Sequence, residues 1–134
     1  MTKPHRRTID IRSEQGQSLT EFALALPVLA LLLFAVIQFG IVFNNYVTLT
    51  DATRAGARRA AVGRRLANPQ NETVKAVRNS ASDLDQSDLS VSVSSTWQAG
   101  ADVAVTATYP YSISLLGLVV KTGNLSSTTT ERVE

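Results

Sequence analysis

The chain has 134 residues, a formal net charge of +2, no cysteine and a single histidine. That length fits one domain, and so slight a charge gives no reason to expect nucleic acid as a partner. Without cysteine there can be no disulfide, thiolate metal site or cysteine nucleophile, and His5, alone in a basic tail, cannot build a metal cluster by itself.

The chain opens with MTKPHRRTIDIRSEQG, which sets Lys3, Arg6, Arg7 and Arg12 against Asp10 and Glu14. From Phe22 to Phe43 it then reads FALALPVLALLLFAVIQFGIVF, with Gln38 as the only strongly polar side chain. As a helix with a rise of ~1.5 Å per residue this run is roughly 33 Å long, close to the ~30 Å hydrocarbon thickness of a bilayer. A globular core helix would carry a polar stripe at helical spacing, and this segment has none. The span leaves about 90 residues beyond it, enough for a small core. The basic tail favours a cytoplasmic N-terminus, with Arg54, Arg58 and Arg59 on the far side weakening that bias. A secretory signal peptide would be shorter and end in small-x-small; here FNNYV follows the run, and Ala23-Leu24-Ala25 stands at its leading end.

A different processing pattern fits. Gly16 precedes Gln17-Ser18-Leu19-Thr20-Glu21-Phe22, so a glycine, four residues and a glutamate abut the apolar helix. Basic leader, glycine, glutamate and apolar run in this order resemble a type IV prepilin. Over residues 13 to about 66 the sequence looks like the TadE-like pseudopilins of tight-adherence (Tad/Flp) pilus systems. The shared features are the Gly-x4-Glu-Phe start, Pro27 five residues after Phe22, the Phe39-Gly40 pair and a small-residue, arginine-bearing continuation. Gln17 is not the aromatic residue typical of major type IV pilins. The resemblance implies that prepilin peptidase, a membrane aspartic protease, cuts after Gly16 on the cytoplasmic face. It also implies other Tad pilins or pseudopilins and an inner-membrane assembly platform as partners, beside the lipid bilayer.

Glu21 at the mouth of the run has two readings. In a packed helix bundle an unpaired carboxylate is costly, so a neighbour's new α-amine on Gln17 would pair with it and set the register. Alternatively, Glu21 merely complements the positive end of its own helix dipole, worth about 0.3–1 kcal/mol. Pro27 removes one helical N–H and leaves the Ala23 carbonyl without that partner, producing either a tolerated kink or a hinge for extraction into a filament.

Past the span the helix is expected to continue through NNYVTLTDATRAGARRAAVGRRLA to Ala67. On a helical wheel Ala52, Gly56 and Gly63 fall together, flanked by Ala55 and Leu66, and form a candidate face for close helix packing. Arg54, Arg58 and Arg65 form a stripe on the other side, suited to lipid headgroups or acidic partner surfaces, or simply to solvent. Nucleic acid is not expected there: aromatic residues do not interleave with the arginines, and the face lies outside the cytoplasm.

Asn68-Pro69-Gln70-Asn71 breaks the helix, and Asn71 is expected to cap a second one over Glu72 to Leu84, with Val74, Val77, Ala81 and Leu84 on its inner face. Leu89, Val91 and Val93 then alternate with serines, with Trp97 on the same face, and Val103, Val105, Ala107 and Tyr109 alternate after the turn QAGAD. LSSTTTERVE closes as a polar edge strand. The apolar connection from Tyr109 to Val120 is too short to span a membrane; it either packs as core, the reading we favour, or protrudes as a contact loop.

Asp83, Asp85 and Asp88 cluster with serines at a helix-to-strand junction and read as turn and capping residues. The serine-rich strands have no histidine to activate a nucleophile, and a glycine-rich phosphate loop is missing, so the sequence suggests no enzyme and no cofactor. The expected class is α+β: a long N-terminal transmembrane helix continuing outside the membrane, a short second helix and a three-stranded antiparallel meander. Residues 1–16 form the leader, 17–67 the membrane and extended helix, and 68–134 a small extracytoplasmic domain. The expected function is structural, as a minor pilin or assembly factor in the cytoplasmic membrane. The competing reading is an unprocessed single-pass protein whose outer domain binds a ligand.

Overall fold

The computed structural model describes residues 11–115 and 117–134, with side chains from Gly16 onward. In chain order the elements are α1 (Ile11–Ala61), α2 (Pro69–Ser80), β1 (Ser90–Ser95), β2 (Asp102–Leu115) and β3 (Leu118–Arg132). The class is α+β, as expected, with an open antiparallel sheet in the order β1-β2-β3. Residues 1–10 of the expected leader lie outside the described residues; residues 11–16 are already helical. Two compact units divide the chain, one ending at Val36 and the other beginning at Ile37.

In the first unit α1 carries apolar side chains on every side and runs without a break through Pro27. Leu24, Leu32 and Leu33 are all exposed, and the most apolar stretch of the helix, with a mean hydropathy of 2.6, has none of its length buried within the chain. A soluble core helix would bury such a stretch against its own domain. This one is long and apolar enough to cross a bilayer.

In the second unit the helix becomes one-sided. Leu49, Ala52, Thr53, Gly56, Ala57 and Ala60 are buried at three- and four-residue intervals, while Asp51, Arg54, Arg58 and Arg59 stay exposed. α1 ends at Ala61 rather than Ala67. The Gly63 N–H bonds back to the Ala60 carbonyl at 3.0 Å, and the Glu134 N–H reaches the Ala61 carbonyl at 2.9 Å, so the last helical carbonyls find partners outside a further turn. A Cβ on Gly63 would stand 3.0 Å from the Arg59 carbonyl oxygen, which explains the glycine at this reversal. Arg65 therefore lies beyond the helix, and only Arg54 and Arg58 of the expected stripe remain on it.

α2 is also displaced from its expected bounds. It starts at Pro69, and its cap is Asn68, whose side-chain oxygen accepts the Asn71 N–H at 3.1 Å; Asn71 is not the cap. Proline at the first helical position needs no N–H partner, so the Asn-Pro pair that breaks one helix begins the next. Thr73, Val77 and Ala81 are buried and Val74 is only half-buried. Thr73 can occupy the core because its hydroxyl donates to the Pro69 carbonyl at 2.8 Å. After α2 the chain turns rather than continuing to Leu84. Arg78 secures that turn by donating to the Gln86 and Leu89 carbonyls at 2.9 and 3.3 Å.

The alternation read in β1 and β2 holds. Val91 pairs with Ala107 and Val93 with Val105, placing these side chains and Val103 on one face. Val103, Val105 and Ala107 are fully buried and form the core with Leu49, Ala52, Ala57, Ala60, Val77, Ala81, Leu84, Leu89 and Val133, with Trp97, Tyr109 and Leu125 packed against it. β3 is longer than the expected edge strand because the supposed connection is itself a hairpin. Leu115 pairs with Leu118, and Gly117 just before Leu118 takes a positive φ of +83°, a conformation glycine adopts without a side-chain penalty. The expectation that this connection packs as core is overturned at its tip: Leu118, Val119 and Val120 are 74%, 64% and 62% exposed. Alternation sends one face of a hairpin outward, and the register shift after Ile113 breaks the pattern altogether.

Candidate functional site

The residues singled out at the start of the helix are open on the surface of the first unit. Gly16 is exposed, and a Cβ built on it would meet nothing within 4 Å. Glycine costs about 1 kcal/mol relative to alanine inside a helix, so neither packing nor local conformation accounts for it here. Its carbonyl accepts the Thr20 hydroxyl at 2.9 Å. Glu21 is exposed, and its carboxylate accepts the Gln17 side-chain amide at 3.1 Å. Gly16, Gln17, Thr20 and Glu21 thus share about one and a half turns of helix directly before the all-round apolar surface.

Residues 16–58 match the family model described as TadE-like protein. Over that stretch, about a third of its length, the chain is similar to TadE-like proteins. The match runs from Gly16 itself through the apolar run and into the one-sided part of α1. Comparison with curated proteins and with solved structures gave no match. The TadE-like segment and its apolar helix together fit a membrane protein associated with the Tad pilus.

The later part of the TadE-like segment carries Ala52 and Gly56. Both are buried inside the second unit: a Cβ on Gly56 would overlap the Val77 side chain of α2 and stand 3.3 Å from Val105 of β2. Gly63, beyond the helix end, is not on this helical face. Beside Gly56, the buried Thr53 hydroxyl donates to the Thr50 carbonyl at 2.8 Å and accepts from Thr129 at 3.0 Å, with Ser127 at 3.2 Å. These bonds let α1 cross a polar part of β3 without leaving a hydroxyl unsatisfied. Pattern reading missed this cluster because Ser127 and Thr129 look like solvent-facing residues of an edge strand.

Nearer the apolar run, a surface groove of about 690 Å³ lies between α1 and the β2–β3 hairpin, with Ile41, Val42 and Asn45 on one wall and Tyr109, Tyr111 and Asn124 among the others. The groove is mixed in character. Among the described residues no group of three His, Cys, Asp or Glu side chains is placed to hold a metal. The Asp83–Asp88 turn is organised by Asp85, whose carboxylate accepts the Ser87 hydroxyl at 2.6 Å and the Ser87 N–H at 2.9 Å. Those two bonds, the hydroxyl's first, hold the Asp85 carboxyl below its ordinary range. A salt bridge of 3.5 Å from Arg59 to Glu72 ties α1 to α2, and Lys75 bonds the same carboxylate at 3.0 Å.

Proposed function

We propose that this chain is a minor pilin, or pseudopilin, of a Tad-type pilus or secretion apparatus. In this reading it is anchored in the cytoplasmic membrane with its N-terminus inside and its α+β domain outside. Prepilin peptidase hydrolyses the Gly16–Gln17 peptide bond, using a glycine whose bare backbone admits the catalytic groups closely. Cleavage removes four basic and two acidic side chains, taking the formal side-chain charge from +2 to 0, and leaves an α-amine on Gln17.

The observation that carries the proposal is the exposed Gly16–Glu21 pair set directly against a helix apolar on all sides. Such a helix passes from lipid into a bundle of like helices at little cost in apolar cover, because lipid tails and neighbouring side chains are similarly apolar. The charge at its entrance then decides register: Glu21 pairs with the amine of an adjacent subunit. Other Tad pilins and the inner-membrane assembly platform are the partners this reading requires. Intact-mass measurement of the protein purified from membranes tests it. A mature chain beginning at Gln17 is expected; a chain retaining residues 1–16 would favour the unprocessed, membrane-anchored binding module instead.

A further inference from the structure

The β2–β3 hairpin ends in a bare apolar tip, and its course along α1 says what covers it. At one level of the second unit, Gly56 lies against Val105, and Thr53 bonds Ser127 and Thr129. At another, Ile41, Val42 and Asn45 share a groove with Tyr111 and Thr122. From Gly56 back to Val42 the helix travels about 21 Å. From Val105 on to Tyr111 the strand travels about 20 Å. The hairpin therefore runs alongside the helix, and towards its apolar end. Four more residues, to Leu115, carry the tip roughly 13 Å further in that direction.

The level of Tyr111 is where α1 changes character, from Ile41, Val42 and Phe43 to Asn44 and Asn45. Beyond it the strand direction carries the tip to the apolar side of this boundary. We infer that Leu115 and Leu118–Val120 dip into the outer leaflet of the bilayer as a second membrane anchor. This rests on the reading that α1 spans a membrane. The composition of the hairpin agrees with a lipid surface. Lys121 is the only charged residue between Asp102 and Glu131, and it stands at the base of the tip, where a long cationic side chain reaches phosphate headgroups. Tyr111 stands further up the hairpin, at the level suited to an interfacial aromatic. An exposed apolar patch of this kind marks a contact surface, and here the surface met along the strand direction is lipid.

The absence of cysteine allows single-cysteine labelling of the full chain in phosphatidylcholine–phosphatidylglycerol vesicles. Leu33→Cys, Val119→Cys and Ser92→Cys would each be labelled with an environment-sensitive fluorophore and exposed to spin-labelled lipids. Quenching at residue 119 is expected within about twofold of that at 33, and several-fold above that at 92, as for a segment buried about 5–10 Å into the interface. Strong quenching at 33 with 119 behaving like 92 overturns the inference and leaves the span intact. No quenching at 33 removes the span reading and the inference with it. If residue 119 is shielded from aqueous iodide but not quenched by lipid, a protein covers the tip, and the inference fails.

Discussion

Gly56→Ala sets two opposing effects against each other. The substitution removes the penalty of glycine in a helix interior and should by that alone stabilise the fold by up to about 1 kcal/mol. The added methyl, however, would overlap Val77 and come within 3.3 Å of Val105. Val77 is fully buried and β-branched, with one strongly preferred rotamer in a helix, so it cannot swing aside. Overpacking of this kind costs about 1–3 kcal/mol, which outweighs the propensity gain and predicts a net loss of up to about 2 kcal/mol. Urea unfolding of the full chain in detergent, followed by the emission of Trp97, reports on the second unit because this single tryptophan packs against its core. The double variant with Val77→Ala should be more stable than the two single changes add up to, by about 1–2 kcal/mol, because the second change vacates the space the first one needs. A Gly56→Ala protein stabilised by the full propensity gain, or a double variant that is simply additive, would refute the close α1–α2 approach. Gly56 would then be available to a neighbouring helix.

Four further outcomes are expected. Gly16→Val should leave the full-length chain in the membrane, seen as an unshifted intact mass; normal processing of that variant would remove the peptidase reading. Glu21→Gln should still be inserted and cut, but crosslinking to pilus partners should fall steeply, since stranding a buried amine costs ~3–5 kcal/mol; a role confined to the helix dipole predicts a loss of no more than about 1 kcal/mol and near-normal crosslinking. Asn68→Ala should lower stability by about 1 kcal/mol in the same urea assay through loss of the cap on the Asn71 N–H. The hydrogen bond from Lys75, ahead of the one from Arg59, holds the Glu72 carboxyl below its ordinary value of 4.5. Its small stabilising effect should be complete above that value and fade as pH falls through the lowered one, and a Glu72→Gln chain titrated in parallel should lack this component.

The properties that depend on local composition were legible from the residues alone. A helix apolar enough to cross a bilayer follows from 22 consecutive residues with one polar side chain, because a bilayer tests each side chain independently of the rest of the fold. The strands of the sheet follow from the alternation at Leu89–Val93 and Val103–Tyr109, since a half-buried strand must expose every second residue. The Gly16–Glu21 spacing is likewise a local pattern, and residues 16–58 match the TadE-like model that it suggested. Tertiary structure decided where these elements stop and what they touch. α1 ends at Ala61 because Gly63 and Glu134 satisfy its last carbonyls, and Glu134 is distant in sequence. Thr73 rather than Val74 enters the core because a hydroxyl bonded to its own helix loses little by burial. Leu118–Val120, apolar enough to be core, stand exposed at the end of a hairpin because the sheet's inner face is already covered at its other end by α1 and α2. Hydrophobicity states that a side chain needs cover; only the arrangement of the whole chain states whether that cover comes from the protein itself.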